Sequence, residues 1–269
     1  MGAVSGYIKT GEEQLHYIKY GEGDKLLIAF HGYGDDASFF APLAECMDKE
    51  YSVISFNLPH HSESQWSPLK LWEKEALNEL IANILRLFNV EYFSLLGYSI
   101  GGRVCMSVLE QYGDKVDRLV LIASDGLRFN WFYYWLTRTV TGKFIFKSFL
   151  TNPALYMPLI DVARKVKLLN EGKYKFAMKY ISSEVDRRFL LNVWMTMSKL
   201  IPDVGKTKQI IRNEKIATEV FMGRYDKVIP ARYALAFAEG VGSAEVTILE
   251  KGHRIFDSET LPKIASCFS

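Results

Sequence analysis

Tyr92-Phe93-Ser94-Leu95-Leu96-Gly97-Tyr98-Ser99-Ile100-Gly101-Gly102-Arg103 decides how this chain folds. An apolar and aromatic run suited to a buried strand meets Gly97-Tyr98-Ser99-Ile100-Gly101, and the helix-forming Val104-Cys105-Met106-Ser107-Val108-Leu109 follows at once. The pattern is strand, sharp turn, helix. Such a turn holds Ser99 in a strained conformation and tolerates only glycine two residues to either side, which Gly97 and Gly101 supply. The hydroxyl is lifted out of the sheet at a helix N-terminus, where the Ile100 amide can donate to a developing negative charge. A phosphate-cradling turn is excluded by spacing: no Lys-Ser/Thr follows the last glycine, and Gly-x-Gly-x-x-Gly is absent from the stretch.

Outward from this turn the chain alternates strands and helices. Leu26-Leu27-Ile28-Ala29-Phe30 reads as a buried strand ending in His31-Gly32-Tyr33-Gly34, and the Tyr33 amide is the candidate second oxyanion donor beside that of Ile100. Ser52-Val53-Ile54-Ser55-Phe56 is the next strand and runs into a polar loop, Asn57-Leu58-Pro59-His60-His61-Ser62-Glu63-Ser64. Adjacent histidines diverge, so His60 and His61 do not suit a metal, and no metal ligand set is assigned anywhere. Apolar residues from Leu71 to Phe88 fall at helical spacing and return the chain to the Ser99 strand. Beyond it, Arg118-Leu119-Val120-Leu121-Ile122 ends at Ala123-Ser124-Asp125-Gly126, Ala217 to Met222 ends at Gly223-Arg224-Tyr225-Asp226, and Glu245 to Leu249 ends at Gly252-His253.

This rhythm predicts an α/β fold with a parallel sheet, right-handed crossovers and chemistry at the carboxyl ends of the strands. Serine is a poor nucleophile unless a base takes its proton, and a histidine can do so when a carboxylate fixes its tautomer. Ser99, Asp226 and His253 each follow a strand end, in that chain order, and are the expected catalytic residues, with Asp125 the fallback carboxylate. His31, Gly32, Tyr98 and Arg103 sit at the same edge and are the expected substrate contacts.

Between residues 126 and 209 the rhythm stops. Helix-compatible runs rich in aromatics (among them Trp131, Phe132, Trp135, Phe144, Phe176, Tyr180 and Trp194) predict a helical lid inserted into a core of residues 1–125 and 210–269. The insertion carries 15 Lys plus Arg against 5 Asp plus Glu, a net of +10, and leaves the remainder at 18 against 26, or −8. That asymmetry predicts weak attraction to an anionic substrate or membrane surface. The whole chain of 269 residues has a net charge of only +2 and ordinary 49% hydrophobic content, so nothing points to nucleic acid. No targeting pattern or bilayer-length apolar run is present, Gly6 breaks the myristoylation pattern, and the expected location is cytoplasmic. Cys46, Cys105 and Cys267 lie at neither metal nor redox spacing.

In His31-Gly32-Tyr33-Gly34, the Asn57 to Ser64 loop, Gly97 to Gly102, Gly223 to Asp226 and Gly252-His253, the chain resembles the α/β-hydrolase family over nearly its whole length outside the lid. The resemblance implies an eight-stranded, mostly parallel sheet flanked by helices, a lid after the sixth strand and no cofactor. It departs from the family where a loop resembling Asp-Leu-Pro-Gly-His-Gly-x-Ser carries His60 and Ser62 in place of both glycines. The expected function is hydrolysis of an ester or related acyl substrate through an acyl-enzyme on Ser99. Two alternatives keep the fold. One is a lyase or carbon–carbon hydrolase acting on an anionic substrate, because Gly97 to Arg103 resembles the elbow of menaquinone-pathway lyases, whose arginine meets a carboxylate. The other is a non-catalytic binding protein.

Overall fold

Strands β3 (Lys25–Phe30), β4 (Tyr51–Phe56) and β5 (Phe93–Tyr98) are buried at nearly every position in the computed structural model. Burial on both faces is why their sequences are apolar runs with little alternation. The structure describes residues 2–47, 49–166, 174, 178, 181 and 183–269. With β1 (Ala3–Thr10), β2 (Glu13–Tyr20), β6 (Val116–Ile122), β7 (Ala217–Gly223) and β8 (Ala244–Leu249), these strands form one eight-stranded sheet in the order β1-β2-β4-β3-β5-β6-β7-β8. β1 pairs antiparallel with β2, and β2 with β4, whereas every pairing from β4 to β8 is parallel. Tyr7 to Lys9 and Leu15 to Lys19 anchor an N-terminal hairpin longer than the sequence suggests, closed at Gly11 with φ 61°.

A parallel sheet delivers all its carboxyl ends to one edge. The loops after β3, β5, β6, β7 and β8 therefore emerge together, and β3 lies directly beside β5. Helices α1 (Ala41–Cys46), α2 (Lys74–Phe88) and α3 (Ile100–Tyr112) connect strands. α2 buries Leu77, Leu80, Ile81 and Ile84, one stripe at helical spacing, and stops at Asn89 in the left-handed conformation.

The chain divides into two compact units, Met1–Trp66, Glu73–Phe129 and Leu200–Ser269 in the first, Ser67–Trp72 and Asn130–Lys199 in the second. These bounds differ from the sequence expectation at three places, residues 126–129 lying in the first unit with the core. Leu71 and Trp72 leave the predicted helix for the second unit, because the Trp72 amide donates to Thr196 C=O at 2.9 Å and Thr196 Oγ1 to Lys70 C=O at 2.8 Å. The helix Val204–Asn213 belongs to the first unit, with Thr207 and Ile211 buried. The second unit contains α4 (Trp131–Arg138), α5 (Val140–Thr151), α6 (Pro153–Lys165) and the helix Glu184–Thr196. Its interior includes Tyr133 and Phe146, each 5.4 Å from Trp194, and the Tyr133 hydroxyl donates to Trp194 C=O. Phe176 and Tyr180 lie outside the described residues.

Candidate active site

Ser99 has φ 51° and ψ −116°, a strained conformation for a residue with a side chain. The surroundings impose it. The Ser99 amide donates to Ile122 C=O at 2.9 Å, and its carbonyl accepts from Asp125 at 2.9 Å and Gly102 at 3.1 Å. A Cβ on Gly97 would meet Gly102 Cα at 2.5 Å, and one on Gly101 would overlap the Phe30 carbonyl, so these two glycines answer to close backbone approach.

His253 reaches the hydroxyl. Its Nε2 is 3.0 Å from Ser99 Oγ and its Nδ1 2.7 Å from Asp226 Oδ2. The Asp226 side chain is fully buried, and its Oδ1 accepts from the amides of Val228 and Ile229 at 2.8 Å each. An acceptor-only carboxylate opposite Nδ1 makes that nitrogen the donor and leaves Nε2 a lone pair aimed at Ser99. The loop is held by main-chain bonds from Arg224 to Leu249 at 2.7 Å and from Tyr225 to Lys251 at 2.9 Å. The fallback Asp125 is engaged elsewhere: its carboxylate pairs with Arg103 and accepts from the Gly126 amide.

Ile100 is the first residue of α3, and a first-turn amide has no acceptor inside its own helix. Tyr33 lies in a turn in which Asp35 N–H donates to Gly32 C=O at 3.2 Å, with Gly34 at φ 78°. This is the geometry in which a glycine at the third turn position is required.

The expected substrate contacts divide differently. His31 is fully buried, its Nδ1 donating to Gly32 C=O at 2.7 Å and its Nε2 accepting from the Leu58 amide at 3.0 Å, so neither nitrogen is available to a ligand. Burial, then the neighbouring His61, hold its pKa well below the usual histidine value. Tyr98 is also buried, stacked on Phe39 at 4.8 Å with its hydroxyl donating to His253 C=O at 3.4 Å. It supports the histidine loop. A Cβ on Gly32 would meet Tyr98 Cδ1 at 2.6 Å, which makes Gly32 a packing requirement. Arg103 is 7% exposed and committed to Asp125.

His61, set aside as a metal ligand in the sequence, bonds to the same loop: its Nε2 accepts from Gly34 N–H at 3.1 Å and its Nδ1 donates to Pro59 C=O at 3.0 Å. Burial lowers its pKa to about 4. Asp35, also unflagged, pairs with Arg254 at 3.4 Å, and burial raises its pKa. The left-handed backbone at His60 (φ 67°) and Ser62 (φ 43°) explains why the resembling family motif has glycine at both places. No group of three or more His, Cys, Asp or Glu among the described residues is arranged to hold a metal.

This elbow, at the carboxyl edge of such a sheet, defines an α/β-hydrolase. The family model described as alpha/beta hydrolase fold matches residues 25–260, and the chain belongs to that family. It is 26% identical over 92% of its length to a dihydrolipoyllysine-residue acetyltransferase component of the acetoin cleaving system from Pseudomonas putida, of which it spans 64%. It is 21% identical to a 2-hydroxy-6-oxo-6-phenylhexa-2,4-dienoate hydrolase from Comamonas testosteroni, covering 94% of this chain and 91% of that one. An esterase from Thermogutta terrifontis superposes with a TM-score of 0.64 at 18% identity, covering 98% of this chain and 95% of that one. No helix among the described residues is long and apolar enough to cross a membrane.

Proposed function

We propose that the protein is a serine hydrolase that cleaves an ester or related acyl substrate. The observation that carries this reading is the Ser99–His253–Asp226 chain of contacts at 3.0 and 2.7 Å. Ser99 Oγ attacks the acyl carbonyl while its proton passes to His253 Nε2, and Asp226 stabilises the imidazolium. The Ile100 and Tyr33 amides donate to the tetrahedral oxyanion. Collapse breaks the bond to the leaving group, which takes the proton from Nε2; water then repeats the cycle and frees the acid. No step calls on a cofactor. The test is turnover of short aryl esters by the wild type and Ser99→Ala. Loss of turnover in a variant with unchanged circular dichroism is expected, and unchanged turnover refutes the reading.

A second reading, carbon–carbon bond hydrolysis, is favoured by similarity to the Comamonas testosteroni hydrolase. Its lyase form, with Arg103 receiving a substrate carboxylate, is weakened by the Asp125 partner of that arginine. Arg103→Ala selectively raising KM for anionic substrates would restore it.

The second unit is proposed to act as a lid and to draw the protein toward anionic surfaces or substrates. Support comes from the charge of this unit, 13 Lys plus Arg against 4 Asp plus Glu for a net of +9, and from α6, where Leu155 and Leu159 are 70% and 68% exposed and no residue is buried. Flotation with phosphatidylglycerol vesicles but not with neutral ones is the expected result. Equal recovery in both refutes the surface role. A cytoplasmic location remains the proposal for the protein as a whole.

A further inference from the structure

The loops after β3 and β4 are joined by two imidazoles that run in opposite directions. In one, Leu58 N–H donates to His31 Nε2 and His31 Nδ1–H donates to Gly32 C=O. In the other, Gly34 N–H donates to His61 Nε2 and His61 Nδ1–H donates to Pro59 C=O. The rings meet edge to face at 4.9 Å. Each has an obligate donor on one nitrogen and an obligate acceptor on the other, so both are neutral and locked in the Nδ1–H tautomer.

These bonds grip the two ends of one short turn. The peptide joining Gly32 to Tyr33 is planar and trans, so its carbonyl and its N–H point in opposite directions. His31 and the Asp35 amide hold the Gly32 carbonyl at 2.7 and 3.2 Å and thereby fix the direction of the Tyr33 N–H. The next peptide is held from the other side, where His61 takes the Gly34 N–H. The chain enters the left-handed region at His60 and Ser62, on either side of His61, to bring that ring under the turn.

We propose that His31 and His61 are positioning residues that aim the Tyr33 amide at the oxyanion, each through its bond to the β3 loop and not through its bond to the β4 loop. This rests on the acyl-transfer reading, in which Tyr33 N–H is an oxyanion donor. It gives His31, read from the sequence as a substrate contact, a different task.

The two bonds of each ring can be removed separately. Asparagine superposes its Nδ2 on the imidazole Nδ1, and glutamine superposes its terminal amide on Nε2. His31→Asn keeps the donor to Gly32 and loses the acceptor for Leu58, and His31→Gln does the reverse. For His61 the assignment is crossed: His61→Gln keeps the acceptor for Gly34, and His61→Asn keeps only the donor to Pro59. Each variant loses one buried hydrogen bond, so a merely structural histidine predicts equal effects within each pair. The proposal predicts kcat on an aryl ester within about threefold of wild type for His31→Asn and His61→Gln. It predicts at least a tenfold fall for His31→Gln and His61→Asn, with KM within about threefold, since loss of a whole oxyanion donor costs roughly 100- to 1,000-fold. Thermal melts establish that the compared variants fold, and the His61 pair decides the question if the His31 pair does not.

Equal kcat losses within a pair, or a rise in KM in place of a fall in kcat, overturn the proposal. Labelling of Ser99 by a fluorophosphonate separates the two levels of failure. A labelled wild type with equal losses sinks the histidine assignment alone. A folded wild type that neither labels nor turns over ester sinks the acyl-transfer reading and this inference with it.

Discussion

Asp226→Asn changes one atom and should remove nearly all activity, because the site dictates which way the new amide faces. Asp226 Oδ1 accepts from the amides of Val228 and Ile229 at 2.8 Å, and Oδ2 faces His253 Nδ1 at 2.7 Å. An asparagine with its NH2 toward Val228 and Ile229 would oppose donors to donors and lose two buried bonds, about 1–3 kcal/mol each. It therefore turns its carbonyl to those amides and its NH2 to His253. Nδ1 must then accept, the ring proton moves to Nε2, and Nε2 donates to Ser99 Oγ where it should receive. The base is held in the wrong tautomer. In a serine protease the same change costs about 10⁴-fold in kcat, equivalent to about 5.5 kcal/mol in the barrier, and a loss of that order is expected here. The assay is aryl-ester turnover at saturating substrate, with a thermal melt in parallel. A variant within tenfold of wild type would refute the assignment of Asp226.

Gly101→Ala should cost about 1–3 kcal/mol or more of stability, read as a lower melting temperature, since its Cβ has no room beside the Phe30 carbonyl. Asp125→Ala leaves the buried Arg103 guanidinium without its carboxylate and should cost roughly 3–5 kcal/mol in urea denaturation. Stability should also fall on acidification. His61 is depressed from 6.5 to about 4, so the unfolded chain binds more protons in between, and the stabilisation present above 6.5 is lost as pH drops toward 4. Its share is about 3 kcal/mol, with His31 and His60 acting in the same direction, and His61→Gln should flatten the slope of stability between pH 7 and 4.

Much of this was legible in the chain because the decisive constraints are local. The Gly97 to Gly101 turn reads directly from steric limits, and Asp226 and His253 read as an acid and a base in the loops after the last two strands. Positions set by pairing between distant segments were not legible. The attachment of Trp72 to Thr196 depends on a hydrogen bond across more than a hundred residues, and the helix Val204–Asn213 carries an apolar stripe that does not announce its partner. His31 and His61 were visible as residues, but their task depends on the direction of peptide planes. The resembling family loop offered one signal: its two glycines mark left-handed positions, here taken by His60 and Ser62.

The most direct measurement is intact-mass and peptide analysis of the folded protein after reaction with a fluorophosphonate. One adduct is expected, on Ser99, absent from Ser99→Ala and formed far more slowly by Asp226→Asn. An unmodified wild type, or an adduct that persists in Ser99→Ala, would contradict it.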